Sequence, residues 1–215
     1  MLSRMRYPLT LLLASLLVAV GLTSQSINHN LDVEWCRDWG SSPALLVGGH
    51  WHRLLTAILF TAGGDKFLAS FVMLLLCVGA AERQFGTIRA AVVFLGTHIA
   101  TLLLMLLIIS ETQRAGFTWG HSLYHACDVG PSAGYYGCLG WVVASCKPRL
   151  RYLLFAGIMA YLTARIYWSA QGMPATVQTC SADLAHLLAF PIGFLTASWR
   201  IVQPQARNSH GTPAA

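Results

Sequence analysis

The chain has 215 residues, of which 55% are hydrophobic and 10% charged, with a mean hydropathy of +0.56. Those values exclude an ordinary soluble domain and point to an integral membrane protein with several bilayer-length spans. The net charge of +6 does not signal nucleic acid, because many basic residues stand at the ends of apolar runs, where Lys and Arg mark the cytoplasmic side.

Arg4 and Arg6 precede an apolar run over 7–23, which reads as either a first membrane helix or a signal peptide. No clean small-x-small cleavage pattern follows in 21–26, which favours an uncleaved helix. The next loop mixes Asp32, Glu34, Asp38 and Pro43 with Trp35, Trp39 and Trp51, polar enough for water and aromatic enough to rest at the membrane interface. A short apolar piece at 54–59 ends in the Gly63-Gly64 break, which predicts a re-entrant or interfacial turn before a second helix at 67–82. Apolar runs at 90–110, 132–146, 152–168 and 184–199 predict four more helices. Basic residues recur at every second loop: Arg4 and Arg6, Arg83 and Arg89, Lys147, Arg149 and Arg151, then Arg200 and Arg207. That pattern predicts an all-α, polytopic bundle of six transmembrane helices with both termini cytoplasmic. Residues 1–200 form one membrane domain on this reading, and the polar tail 201–215 is expected to be disordered. No internal repeat is apparent.

The fourth apolar run is short for a span. From Ser132 to Lys147 a helix rises only about 22 Å, against roughly 30 Å of hydrocarbon, so its serine end lies below the far membrane surface. A polar start at that depth needs a protein-lined, water-accessible cavity. His186 lies fourteen residues before Arg200, and Ser132 fifteen before Lys147, so both sit at nearly one depth. Ser70, thirteen residues before Arg83, shares the level, and Lys66 lies one turn nearer the outer surface. A serine needs a base to take its proton, and an imidazole does that and returns the proton to a leaving amine. Ser132 with His186 fits that chemistry. Other readings are a helix N-cap for Ser132, a satisfied interfacial histidine for His186, and a Ser132–Lys66 dyad. Asp183, one turn before His186, either orients its ring or serves as a cap or first-turn acid of the sixth helix. His121 and His125 have metal-compatible spacing, but no glutamate accompanies them as in His-Glu-x-x-His, and no metal or other cofactor is expected. His98, mid-span, is expected to be hydrogen-bonded between helices. Gly134, Gly137 and Gly140 read as close-packing positions. Cys127 and Cys180 each stand a few residues before Ser132 and His186, which suggests a disulfide tying the two loops.

These residues resemble the rhomboid intramembrane serine proteases over about 51–195. Gly130-Pro131-Ser132-Ala133 stands where rhomboids have Gly-x-Ser-Gly, and the resemblance makes Ser132 the nucleophile. It makes Tyr136 the aromatic stacked on the catalytic histidine, and His186, within Ala185-His186-Leu187-Leu188-Ala189, the base of the family's Ala-His-x-x-Gly. Trp51 and Arg53 resemble the Trp-Arg pair of the first loop, with His52 inserted between them, and Gly79, Glu82, Arg83 and Gly86 resemble the pattern ending the second helix. Lys66 and Ser70 occupy the positions of the family's His-x-x-x-Asn oxyanion site, Ala133 replaces the glycine after the serine, and Ala189 replaces a packing glycine. The resemblance implies a protease of transmembrane substrates, multi-pass in the bacterial inner (plasma) membrane. The alternative is a catalytically inactive relative that binds transmembrane segments. A small transporter is disfavoured, since carboxylates are absent from mid-span and no inverted repeat shows.

Overall fold

The computed structural model describes residues 7–201, with side chains through Ala197. Arg4, Arg6, Arg207, the Arg200 side chain and nearly all of the expected tail lie outside the described residues. The described chain is helical, and its helices cover the six segments read from the sequence. Three of them are long and apolar enough to cross a bilayer: α6 (Thr87–Arg114), α9 (Pro148–Gln171) and the 177–197 part of α10 (Val177–Ile201), while α1 (Pro8–Thr23) is a shorter apolar helix.

Pro8 opens α1 at a position where its missing N–H costs nothing. The free N–H groups beside it are met by Glu82, near the end of α5 (Asp65–Phe85). Leu9 N and Thr10 N each donate to its carboxylate at 2.9 Å, Thr10 Oγ1 at 2.7 Å and Thr87 Oγ1 at 2.8 Å. An anion at the positive end of a helix is favourable, and here it also fastens the start of α1 to the α5–α6 turn. Gly86, at φ +86°, makes that turn.

The segment between α1 and α5, expected as a loop, contains α2 (Val33–Trp39), α3 (Pro43–Val47) and α4 (Arg53–Thr56), the last running into a 3-10 turn at Ala57–Leu59. Arg53 is buried, and its Nη1 donates to Arg37 O at 2.6 Å and Gly40 O at 2.8 Å, occupying carbonyls at the end of α2. Its partners are backbone oxygens, so its position sets where the loop lies. The Gly63-Gly64 break stands where the sequence places it, with φ +80° and +56°. The segment 111–130 likewise holds the end of α6 and a further helix, α7 (Thr118–His125).

The centre of the bundle is α8 (Ser132–Ala144), packed by α10, α6 and α5. A Cβ added at Gly134 would collide with the Phe94 ring of α6, and one at Gly137 with the Thr97 side chain. One at Gly140 would overlap Phe190 O, and one at Gly193 would overlap Gly137 O. Backbones this close require glycine, and in lipid close packing of small residues is what holds helices together.

The disulfide expected between Cys127 and Cys180 is not present. Cys127 is bonded to Cys36 of α2, and Cys180 is a free thiol. The physical reason is a short backbone bridge: Ser41 N donates to Asp128 O at 2.9 Å and Asp128 N to Ser41 O at 2.8 Å, which lays the end of α2 beside residue 127. Cys180 lies in the first turn of α10 and is buried among Leu102, Met105, Ile109 and Leu123.

Replacing Glu82→Gln keeps the shape but sets an amide N–H2 against N–H and O–H donors. It is expected to cost about 1–3 kcal/mol, read as a lower denaturation midpoint in detergent at unchanged helical content.

Candidate active site

Ser132 is the first residue of α8. The preceding turn depends on Gly130, whose φ of +146° is open to glycine, and Gly130 N is held by Ala57 O at 2.9 Å. Tyr135 N donates to Pro131 O at 3.0 Å, the first bond of the helix. The N–H groups of Ser132, Ala133 and Gly134 therefore have no acceptor within the helix and carry its positive end.

His186 stands on α10 and is 7% exposed. The Tyr136 ring, one turn after Ser132 on α8, stacks on it with centroids 4.4 Å apart and planes inclined by 28°. Positions four apart share a helix face, so Ser132 and Tyr136 lie on one side of α8. Neither ring nitrogen of His186 has a hydrogen-bond partner among the described residues, so Ser132 and His186 are not hydrogen-bonded to one another.

Asp183 does not cap its helix. α10 starts at Val177, earlier than the apolar pattern indicates, and Asp183 falls in its second turn, 2% exposed. Its Oδ1 lies 2.6 Å from Arg165 Nη2 of α9 and 3.9 Å from His186 Nδ1. The carboxylate is within charge reach of the imidazole but beyond hydrogen-bond reach, its close partner being the arginine. Arg165 was not singled out in the sequence. The signal was there: a lone arginine inside the apolar run 152–168.

Ser70 and Lys66 are one turn apart on α5. The Ser70 side chain is hydrogen-bonded to the Tyr135 phenol. Lys66 is exposed, and its charge acts on Asp128, in the loop before α8. A second residue unremarked in the sequence is thus Asp128, whose main chain makes the Ser41 bridge. His98 Nε2 lies 3.0 Å from Leu54 O on α4, joining α6 to α4; since a carbonyl only accepts, this nitrogen carries the proton. His121 and His125 face one another on α7, ring centroids 5.1 Å apart. Among the described residues no group of three or more His, Cys, Asp or Glu side chains is placed to hold a metal.

The family model for the rhomboid domain matches residues 48–203, most of the chain. The chain belongs to the rhomboid family. No curated protein matches it. As a rhomboid it departs from the family's pattern at Lys66, Ser70, Ala133 and Ala189. Ala189 is fully buried, and the closest backbone approaches of α10 to α8 fall at its neighbour Phe190 and, one turn further on, at Gly193.

The Arg165–Asp183 pair gives a direct check on the α9–α10 contact. Arg165→Met leaves a buried carboxylate without its cation and is expected to cost about 2 kcal/mol, below the value for a fully buried pair because the arginine is partly exposed. Adding Asp183→Leu to that variant is expected to restore most of the loss in the same denaturation measurement.

Proposed function

We propose that this rhomboid is an intramembrane serine endopeptidase that cleaves single-span proteins, with Ser132 as nucleophile and His186 as its base. The observation that supports the reading is the stack of Tyr136, one helical turn after Ser132, on the His186 ring. Ser132 Oγ attacks the substrate carbonyl while His186 takes its proton; the tetrahedral oxyanion then collapses and His186 returns the proton to the leaving amine. Water releases the acyl group by the same two steps in reverse roles. The oxyanion is met by the free Ser132 N–H at the positive end of α8, supported by the Ser70 hydroxyl and the Lys66 ammonium. The dyad needs the imidazole free to accept. Among the described residues neither of its ring nitrogens has a hydrogen-bond partner, which is consistent with that role.

Six spans with both termini cytoplasmic, in the bacterial inner membrane, complete this reading. The glutamate clamp joining the start of α1 to the end of α5 is consistent with it, since it brings the segments preceded by Arg4 and Arg6 and followed by Arg83 and Arg89 to one end of the bundle. No metal or other cofactor has a role in it.

A second reading, a rhomboid that binds transmembrane segments without cutting them, is favoured by one observation. The Ser70 hydroxyl is engaged with Tyr135, and Lys66 faces outward, so neither stands free to serve an oxyanion.

Cleavage of a generic single-span substrate, in detergent and in liposomes, separates the two. Wild type is expected to cut it, and Ser132→Ala and His186→Ala to fall to background. Ser70→Ala is expected to lower kcat by about tenfold or more with KM little changed, because it removes a donor to the oxyanion. Lys66→His combined with Ser70→Asn is expected to raise kcat. A folded wild type that cuts no substrate, while the double variant also remains inert, would leave the binding role as the reading.

A further inference from the structure

Asp128 has no part in the mechanism above, yet it is built into the same place. It lies four residues before Ser132, beside the Cys36–Cys127 bond, with its N–H and carbonyl both held by Ser41. A carboxylate delivered by a segment fixed this firmly is not a wandering loop charge. Together with His98, Leu102, Gly130 and Ser132 it lines a cavity of about 10 Å³, room for roughly one water molecule.

The two ionisable side chains lining that space both offer acceptors. Among the described residues the Asp128 carboxylate has as donors the Ser181 hydroxyl, donating to Oδ2 at a long 3.4 Å, and the Val129 N–H. No Lys or Arg lies within ion-pair distance of it among the described residues, and Lys66 reaches it only at longer range. His98 is 2% exposed; its Nε2 proton is committed to Leu54 O, so Nδ1 presents a buried lone pair, and it has no partner among the described residues. An acceptor in such a position wants a donor. Burial, more than any neighbour, pushes Asp128 up to about 6, as follows for a carboxylate with too few donors around it.

We propose that this cavity is a subsite for a primary ammonium group, the side-chain tip of a substrate lysine flanking the scissile bond, held by the Asp128 carboxylate and His98 Nδ1. An ammonium brings three donors and no acceptor, and it is about the size of the water the cavity admits. A guanidinium brings five donors in a wider planar fork and does not fit the same space. A lysine near the end of a membrane span keeps its charge toward polar surroundings while its stem lies in apolar ones, and a carboxylate beside Ser132 is such a surrounding. The subsite rests on the reading that transmembrane segments dock at Ser132, whether or not they are cut.

The test therefore reads binding, in Ser132→Ala protein that turns nothing over. Fluorescent transmembrane peptides carry lysine, norleucine or arginine at each position flanking the scissile bond in turn. At one position lysine is expected to bind about tenfold tighter than norleucine, with arginine weaker than lysine. Asp128→Asn is expected to bring the lysine-to-norleucine ratio close to one and leave the norleucine peptide's Kd within about twofold. The charged and titratable groups around Asp128 are Lys66 on α5, His98 on α6 and Asp183 on α10. With Asp128 raised to about 6, the lysine preference is present above that pH and fades as pH falls through it, a readout that needs no variant at position 128. A ratio near one at every position, or a preference that survives both Asp128→Asn and acid, means that the cavity holds water only and overturns the subsite. Failure of every peptide to bind overturns the docking of transmembrane segments at Ser132, and the subsite with it. Cleavage by the Ser132 protein, measured separately, reports on the protease reading alone.

Discussion

The contact on which this molecule turns is the near touching of two helix backbones, α8 and α10, at Gly137 and Gly193 and again at Gly140 and Phe190. In water, apolar side chains would drive such an association; in lipid they gain nothing by it, and what remains is dispersion between surfaces that fit. Glycine supplies the fit because any side chain would stand in the way. The chemistry follows from the packing: with the axes this close, the Tyr136 ring stacks on His186 at an inclination of 28°, one turn into α8. The same face of α8 is closed on its other side by Phe94 and Thr97 of α6, so Ser132 begins a helix that has little room to shift.

Around that seam, the buried charges fix the ends of the bundle. Glu82 fills the start of α1, Arg53 fills the end of α2, and Asp183 meets Arg165 across α9 and α10. Each charged group is spent on backbone groups or on an opposite charge, which is the condition for keeping it away from water. The two ends of the bundle are held differently. At one end a carboxylate joins helix termini, while at the other a disulfide, a two-bond backbone bridge and an arginine organise the loops that lead into Ser132.

Much of this was legible in the sequence. Helix positions followed from apolar runs, and the shortness of the run after Ser132 was itself informative, because helix rise and bilayer thickness are fixed lengths. Comparing depth across helices set Ser132 and His186 at one level, and in the structure the histidine stacks on Tyr136, one turn after Ser132. The glycines of α8 were read as packing positions and are that. What could not be read depends on contacts between segments distant in sequence. The partner of Cys127 is decided by the Ser41–Asp128 bridge, which no spacing reveals. The extra turns at the start of α10 are polar, so the apolar pattern began the helix too late and cast Asp183 as a terminal acid. Short helices such as α2 and α7 have too few turns to show a period. Asp128 was passed over because a lone acid beside a glycine reads as an ordinary turn residue until the surrounding cavity is seen.

On the proposed reading Ser132 and His186 act as one unit. The measurement that bears on it most directly is the site of phosphonylation by a fluorophosphonate, mapped by tandem mass spectrometry on the folded protein in detergent. A single adduct on Ser132 is expected, and its loss in His186→Ala at unchanged helical content. A folded wild type that takes no adduct, or an adduct on Ser132 that persists without the histidine, would contradict it.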